Sequence, residues 1–181
     1  DMYGQTTRCS RAANIAAEKG MLVIVAAGNE GNKAWHYISA PADADNILTV
    51  GAVNIHDSIA AFSSWGPTAD GRIKPGVCAT GSQTALINPL NNSVIYGNGT
   101  SFACPIIAGM AACLWSALPQ ASNMEIRERI IRCTFGSSFS ICILIPFCNA
   151  AGVIKLVQIG FFRVPQDSVG ISLLGKEFLA V

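Results

Sequence analysis

The chain has 181 residues, 51% of them apolar and 13% charged, and its net charge is +1. Without a basic run it has no electrostatic footprint for nucleic acid or for an anionic membrane, and its apolar runs are too short to predict a membrane span. The apolar excess instead favours a buried parallel sheet flanked by helices.

The first half of the chain is predicted to alternate helix and strand. Helix-forming and apolar residues ending in a glycine predict a helix at 9–19. Apolar runs of strand length predict buried strands at 21–27 and 47–53, and a turn-forming cluster at 28–32 follows the first of them. A further short strand is predicted at 60–63. This order of elements is typical of an α/β fold.

The second half is predicted to contain a hairpin and two helices. Residues 84–87 and 93–96 flank turn-forming residues and predict the hairpin. A long helix, apolar nearly all round and therefore expected to be buried, follows Ser101. Asn123 is predicted to cap a last helix at 124–132 with a charged solvent face. Beyond it only weak strands are predicted, at 141–145 and 153–159.

The seven cysteines lack the close spacing of a zinc site, and most lie in apolar contexts. They are therefore predicted to be small buried hydrophobic residues rather than disulfide partners or metal ligands. The seven are Cys9, Cys78, Cys104, Cys113, Cys133, Cys142 and Cys148.

Ser101 is a candidate nucleophile because it lies directly before the long apolar helix. The N-terminus of a helix stabilises nearby negative charge, and the preceding Gly97 and Gly99 allow backbone and substrate to approach closely. A serine at this position is far more often only a helix N-cap.

Asn29 is a candidate oxyanion donor because it follows the first predicted parallel strand. Acyl transfer needs donors aimed at the developing negative charge, and a side-chain amide at this edge of a sheet can supply one. Gly-Asn after a strand is also ordinary turn chemistry. Each of the two motifs is weak by itself.

Taken together, five segments resemble the subtilisin-like serine proteases, the subtilases of peptidase family S8. Their order and spacing agree across about residues 9–133. The segments are VAAGNEG at 25–31, Pro41-Ala42 leading into ILTVGA at 47–52, FSSWGP at 62–67, IKP at 73–75 and GTSFACP at 99–105.

The resemblance implies a doubly wound α/β domain with a mostly parallel sheet, incomplete here, and peptide-bond hydrolysis through an acyl-enzyme. Ser101 matches the nucleophile, and its backbone N–H would be the second oxyanion donor beside the Asn29 amide. The substrate-binding positions implied by the match are Ala26, Ala27 and Gly28 along the pocket, Glu30 at its rim, and Thr100 beside the nucleophile.

In this family the catalytic Asp and His precede the oxyanion segment, and neither position is found in these residues. His36 and His56 are predicted to be loop residues, and Asp43, Asp45 and Asp57 are predicted to be turn or cap acids. Because Ser101 lacks a general base, the chain is interpreted as a fragment of a serine endopeptidase with little activity alone. The alternative is a pseudo-protease module that binds extended peptides without cutting.

Three features depart from the family pattern. Residues 76–81 read GVCATG where the family usually has Asp-Val-x-Ala-Pro-Gly, a change expected to loosen a loop beneath the site, and Ile106 replaces a non-triad histidine. Residues 134–181 lack the closing motifs of the family, so the chain is divided into 1–133, the C-terminal half of the catalytic domain, and 134–181, a divergent tail. A shifted reading frame from about Cys133 is one hypothesis for the tail.

Partners and location are inferred from the resemblance. A peptide or protein substrate and the missing N-terminal half of the domain are the expected partners, with no nucleic acid and no membrane span. No cofactor is identifiable, although calcium sites are frequent in the family. The first residues have no signal-peptide pattern, so export or secretion is an expectation from the family. A phosphate-binding loop at 97–101 is disfavoured because it lacks a lysine before Ser/Thr.

Overall fold

The computed structural model describes residues 3–134, with side chains to residue 133, and the backbone of two strands at 138–148 and 154–165. Helix α1 spans Arg8–Glu18, and the Thr7 hydroxyl caps it by accepting the Ser10 N–H at 3.1 Å. Gly20 follows its end with φ +93°, a left-handed conformation that suits glycine. The predicted helix is confirmed to within a residue at each end.

Three parallel strands form the central sheet. They are β1 (Ile24–Ala26), β2 (Leu48–Val53) and β3 (Val77–Thr80), in the order β1-β2-β3. Val50 pairs with both neighbours, opposite Ala26 on one side and Val77 on the other. The α/β class with a parallel sheet is therefore confirmed.

Two predictions about the sheet are wrong. The segment 76–81 is not a loop, because its middle forms β3 and pairs with β2 over four residues. Residues 60–63 are not a strand, since the only bridge nearby joins Val53 to Ile59 and the chain then turns. In both places the conformation depends on whether a distant strand is available as a hydrogen-bond partner. The composition of the segment alone does not reveal that partner.

Helix α2 spans Thr100–Ala117 and packs against all three strands of the sheet. It is buried on one face only, contrary to the prediction, because Pro105 and Cys113 lie exposed on the opposite side. By length and composition α2 would also suffice to cross a membrane, with a mean hydropathy of 1.5, which corrects the expectation of no such segment. Its packing on the sheet is that of a core helix of an α/β domain.

Helix α3 spans Asn123–Thr134. Its cap is Ser122 rather than the predicted Asn123. The Ser122 hydroxyl accepts the Glu125 N–H at 3.2 Å, and the Glu125 carboxylate accepts the Ser122 N–H at 2.7 Å, the reciprocal pair of a capping box. Asn123 instead donates to the carbonyls of Ala17 and Met21, which ties α3 to the end of α1.

The remaining strands form two antiparallel pairs. The predicted hairpin is confirmed as β4 (Thr84–Ile87) with β5 (Val94–Gly97). In the tail β6 (Ser138–Cys148) pairs with β7 (Ile154–Pro165), so the two weak strands predicted there are present with longer bounds, except residue 153, which lies outside the described residues. The division of the chain at 133 and the frame-shift hypothesis stay predictions.

The main core lies between the sheet and the inner faces of α2 and α3. Its fully buried members include Leu48, Val50, Ala103, Ile107 and Ile126. A second, smaller cluster of Ala27, Ile38 and Ala42 lies behind the end of β1. The five cysteines with described side chains are free thiols. Cys9 and Cys113 among them are exposed, so the prediction of burial is wrong for these two.

Candidate active site

Asn29 lies in the loop after β1, and its side chain is fixed by the first residue of α2. The Asn29 Oδ1 accepts hydrogen bonds from the Thr100 backbone N–H at 2.9 Å and from the Thr100 hydroxyl at 3.1 Å. A backbone N–H can only donate, so the amide oxygen must face Thr100. The Asn29 NH2 group is thereby turned the other way, and it makes no hydrogen bond within the described residues.

The backbone on both sides of Asn29 is held as well. Gly28 has φ +114°, and its N–H donates to the Thr100 hydroxyl at 3.3 Å. Its carbonyl accepts the Ser64 N–H at 2.9 Å, and the Ser64 hydroxyl accepts the Glu30 N–H at 3.0 Å. A Cβ at Gly28 would come within 2.9 Å of the Ser64 hydroxyl oxygen, so this close packing requires glycine.

Ser101 lies in the first turn of α2, one residue beyond the contact with Asn29. The N-cap of α2 is Gly99, with extended backbone and no side-chain cap, so Ser101 is not the capping residue. Its side chain is exposed and has no hydrogen-bond partner in the described part of the chain. In this first turn the Thr100 N–H donates to the Asn29 Oδ1 and the Phe102 N–H donates to the Gly99 carbonyl, whereas the Ser101 N–H has no acceptor among the described residues. A free backbone donor and an unpaired hydroxyl therefore occur together at Ser101.

The loop that leads into Ser101 is attached to the end of β3. The Gly99 N–H donates to the Gly81 carbonyl at 2.7 Å. The Asn98 Oδ1 accepts the Gln83 N–H at 2.8 Å, which joins the loop to the base of the hairpin. A Cβ at Gly81 would lie 2.7 Å from the Gly99 oxygen, so glycine is needed for the contact.

The predicted pocket residues differ in what they present. Ala27 is fully buried in the small cluster with Ile38 and Ala42, so its side chain faces the interior, whereas Ala26 and Gly28 are partly exposed. Glu30, predicted at the rim, forms an ion pair with Lys33 at 2.9 Å. The negative charge at the rim is therefore partly balanced by its own loop.

Neither histidine makes a hydrogen bond to Ser101. His36 stacks on the Trp65 ring with centroids 4.1 Å apart. His56 lies in an exposed turn where its backbone N–H donates to the Asn54 Oδ1 at 2.9 Å. Asp43 is fully buried and accepts from the Gly4 N–H and the Ser10 hydroxyl, a structural role. These positions agree with the prediction that His36 and His56 are loop residues.

Among the described residues no group of three or more His, Cys, Asp or Glu side chains is placed to hold a metal ion. The carboxylates of Asp45 and Asp70 are instead paired with Arg72, at 2.9 and 2.7 Å. The Asp70 pKa is lowered to about 2 by its hydrogen bonds to Arg72 and to the Thr68 hydroxyl. These acids are thus engaged by protein cations.

Sequence reasoning did not find the fixing role of Thr100 or the part played by Ser64. Both depend on contacts between residues distant in the chain, 71 and 34 positions apart. The sequence motifs showed only that the five segments occur in the order and spacing of the family.

Comparison with known proteins shows the family of this chain. The sequence profile of the subtilase family matches residues 2–163. A thermophilic serine proteinase of Bacillus sp. (strain AK1) is 38% identical over 125 residues, 69% of this chain and 28% of the relative. The subtilisin-like proteinase Spm1 of Pyricularia oryzae is 34% identical over 170 residues, 91% of this chain and 27% of the relative.

Among solved structures, the self-cleaved protease domain of PatA superposes with a TM-score of 0.57 at 26% identity, covering 70% of this chain and 47% of that one. The fold thus defines an α/β domain of the subtilisin-like type. The chain belongs to the subtilase family. It spans less than a third of the length of the two curated relatives it is compared with.

Proposed function

We propose that these residues form the nucleophile and oxyanion part of a serine endopeptidase site that cleaves peptide bonds through an acyl-enzyme. The observation that carries the proposal is the orientation of Asn29. Its amide oxygen is bonded to Thr100, and its NH2 group is left as a free donor beside the first turn of α2.

Ser101 is the nucleophile in this proposal. Attack of its Oγ on a peptide carbonyl forms a tetrahedral intermediate whose oxyanion accepts from the Asn29 NH2 and the Ser101 N–H. Collapse of the intermediate expels the amine and leaves an ester on Ser101, which water then hydrolyses. The Asn29 side chain is already held by Thr100, and the Ser101 N–H lies in the first turn of α2, so little reorganisation is needed as charge develops.

The general base must come from outside the described residues, because the two histidines here lie elsewhere. Activation of Ser101 requires an imidazole within hydrogen-bond reach of its Oγ and a carboxylate that orients the ring. We propose that a segment carrying the family's Asp and His completes the site. Peptides or proteins are the proposed substrates.

The proposal is tested in a protein that joins residues 1–181 to such a segment. A fluorophosphonate probe should label the wild-type protein and should not label Ser101→Ala. Asn29→Ala should lower kcat by about 10²–10³-fold with a smaller change in KM, as for the comparable donor of subtilisin. Asn32→Ala, an exposed asparagine in the same loop, is the matched control and should keep full activity.

The same experiment distinguishes a serine endopeptidase from a non-catalytic peptide-binding module. The absence of an imidazole at Ser101 within residues 3–134 is the observation that favours that second candidate. Binding of an extended peptide without any labelling of Ser101 in the joined protein would support it and would reject the protease proposal. Labelling that persists in Ser101→Ala would also reject the assigned nucleophile.

Export from the cell is proposed from family membership alone. The free thiols of Cys9 and Cys113 are exposed, so an oxidising compartment would leave them open to oxidation or pairing. Fractionation of the source cells with an antibody to this chain tests the location. Recovery only in the cytosolic fraction would reject export.

A further inference from the structure

Lys74 is a buried lysine whose side chain bonds the loop between β1 and β2. Its side chain is only 7% exposed. The Nζ donates to the Ala42 carbonyl at 2.8 Å, to the Thr49 hydroxyl at 2.9 Å, and to the Ala44 carbonyl. An ammonium group has three N–H donors, and all three have acceptors here.

Two arginine side chains also bond this loop. Arg72 donates from Nη1 to the Asp43 carbonyl at 2.8 Å, and Arg127 on α3 donates from Nε to the Ile47 carbonyl at 2.9 Å. Carbonyl oxygens of the loop therefore face positive side chains from two other parts of the chain. Only the lysine bonds two of them with a single atom.

The loop fixed by Lys74 supports one side of the Asn29 segment. Ala42, whose carbonyl accepts from Lys74, packs against Ala27 and Ile38, and all three are fully buried. The Ser39 N–H donates to the Ala27 carbonyl at 3.2 Å, and the Ala42 N–H donates to the Ser39 carbonyl at 2.8 Å. A shift of Ala42 would therefore be passed to Ala27, two residues before Asn29.

The main chain of Lys74 is connected to the other side of the same segment. Its carbonyl accepts the Gly66 N–H at 2.8 Å. Two residues earlier, Ser64 bonds the Gly28 carbonyl and the Glu30 N–H, on either side of Asn29. Lys74 is thus attached to both supports of the loop that presents the Asn29 amide.

We propose that Lys74 is a positioning residue for residues 25–31, the segment that presents the Asn29 amide. Its ammonium group acts as a built-in cation that holds residues 42–49, the end of the β1–β2 loop and the start of β2, against Ala27. This inference rests on the proposed function only for its catalytic consequence. The structural claim, that the ammonium's hydrogen bonds keep residues 25–31 in place, is independent of it.

The chemical nature of the Lys74 side chain matters because its three acceptors are arranged around the single Nζ atom. Methionine has a similar length but no donor, so two buried carbonyls and a hydroxyl would lose a partner. Arginine has its donors in a planar fork and cannot place three of them on acceptors around one point. A local effect on the loop is therefore expected from either change.

The test is amide hydrogen exchange of the full 181-residue chain at pH 6. In Lys74→Met, exchange of residues 25–31 and 39–47 should become at least about tenfold faster, whereas α3 should exchange at its original rate. Lys19→Met, an exposed lysine at the end of α1, is the control and should change neither. Thr49→Val removes one of the three acceptors and also the hydroxyl that donates to the Ala42 carbonyl at 2.7 Å, so it should speed exchange in the same segments.

Chemical rescue separates donation from packing. In Lys74→Ala, added ethylammonium should restore slow exchange at residues 25–31, whereas tetramethylammonium, which has charge but no N–H, should not. Unchanged exchange in Lys74→Met, an equal rise in α3, or equal rescue by both cations would overturn the inference.

The catalytic consequence is measured in the protein completed with the triad segment. There Lys74→Met should lower kcat more than it raises KM, as expected for a misplaced oxyanion donor. Faster exchange at residues 25–31 without any change in kcat would reject the positioning of Asn29 by Lys74. Labelling of Ser101 would be unaffected by that result, so the proposed function would stand.

Discussion

At the scale of single residues, the site depends on which way one amide faces. Thr100 is fully buried, and its hydroxyl both donates to the Asn29 Oδ1 and accepts the Gly28 N–H. That one side chain fixes the oxyanion donor and the glycine before it. The hydroxyl of Thr100 is therefore expected to matter for catalysis through the position of the Asn29 amide.

Thr100→Val tests this role in the completed protein. Valine keeps the shape and the backbone N–H bond to Asn29 but removes the hydroxyl that donates to Asn29 and accepts from Gly28, so kcat should fall about tenfold, in line with the loss of a hydrogen bond worth about 0.5–1.5 kcal/mol. Thr100→Ser retains the hydroxyl and should recover most of the rate. Equal rates for valine and threonine would show that the hydroxyl does not orient the amide.

Lys74 gives the molecule a pH dependence of a stated sign. Burial lowers its pKa from 10.5 to about 7, with Arg72 and Arg127 adding to the shift and Asp43 and Asp45 opposing it. Between these two pH values the unfolded chain binds more protons than the folded one, so stability rises as the pH increases from about 7 toward 10.5. The ammonium orders the loop, yet its buried charge costs stability that deprotonation relieves.

Urea denaturation at pH 7, 8, 9 and 10 measures this effect. The free energy of unfolding should increase over the series for the wild type, and the slope should become smaller in Lys74→Met. Parallel pH profiles for the two proteins would show that Lys74 is not the group responsible.

At the scale of elements, each helix start is set by a different device. Thr7 caps α1 with its hydroxyl, Ser122 and Glu125 form a capping box for α3, and the N-cap of α2 is Gly99, which has no side chain to offer. The first-turn N–H of Thr100 donates instead to the Asn29 side chain, and that of Phe102 donates to the Gly99 carbonyl. The Ser101 N–H is therefore left without an acceptor among the described residues.

Ser122→Ala should therefore destabilise the protein by about 1 kcal/mol, because it removes the cap of α3. Ser116→Ala is the matched control on α2. Its hydroxyl only bonds the Ala112 carbonyl one turn back, an interaction that adds little to a helix. Thermal or urea unfolding of the two variants gives the comparison, and equal losses would contradict the assignment of the cap.

Sequence reasoning predicted the secondary-structure elements more accurately than their strand pairing and burial. The helices, the β1 and β2 strands and the hairpin follow from local pattern, and so do Asn29 and Ser101 as linear motifs. β3 and the burial of α2 on one face were mistaken because they depend on pairing with β2 and on packing against the sheet. Lys74 reads as an ordinary charged residue in sequence, and only the folded chain shows it bonded to carbonyls some 30 residues away.

At the scale of the whole molecule, many large apolar side chains lie open to solvent. The hairpin contributes Ile87, Val94 and Tyr96, its tip adds Leu90 at 92% exposure, and Ile73 lies apart from them at 82%. Exposed apolar surface of this extent favours association. Within the described residues β1 is also an edge of the central sheet, a further template for pairing.

The 181-residue chain should consequently self-associate at micromolar concentration. Sedimentation velocity with and without a mild non-ionic detergent measures this, and Ile87→Lys together with Leu90→Lys should shift the distribution toward monomer. A sharp monomer peak for the unmodified chain, with a cooperative melt, would contradict the expectation.

The central claim is that the Asn29 amide and the Ser101 hydroxyl serve one carbonyl-sized site. A crystal structure of the completed protein after fluorophosphonate labelling tests it most directly. We predict the phosphonyl oxygen on Ser101 at about 2.7–3.1 Å from the Asn29 Nδ2. A labelled Ser101 whose phosphonyl oxygen has no contact with the Asn29 amide would contradict the claim.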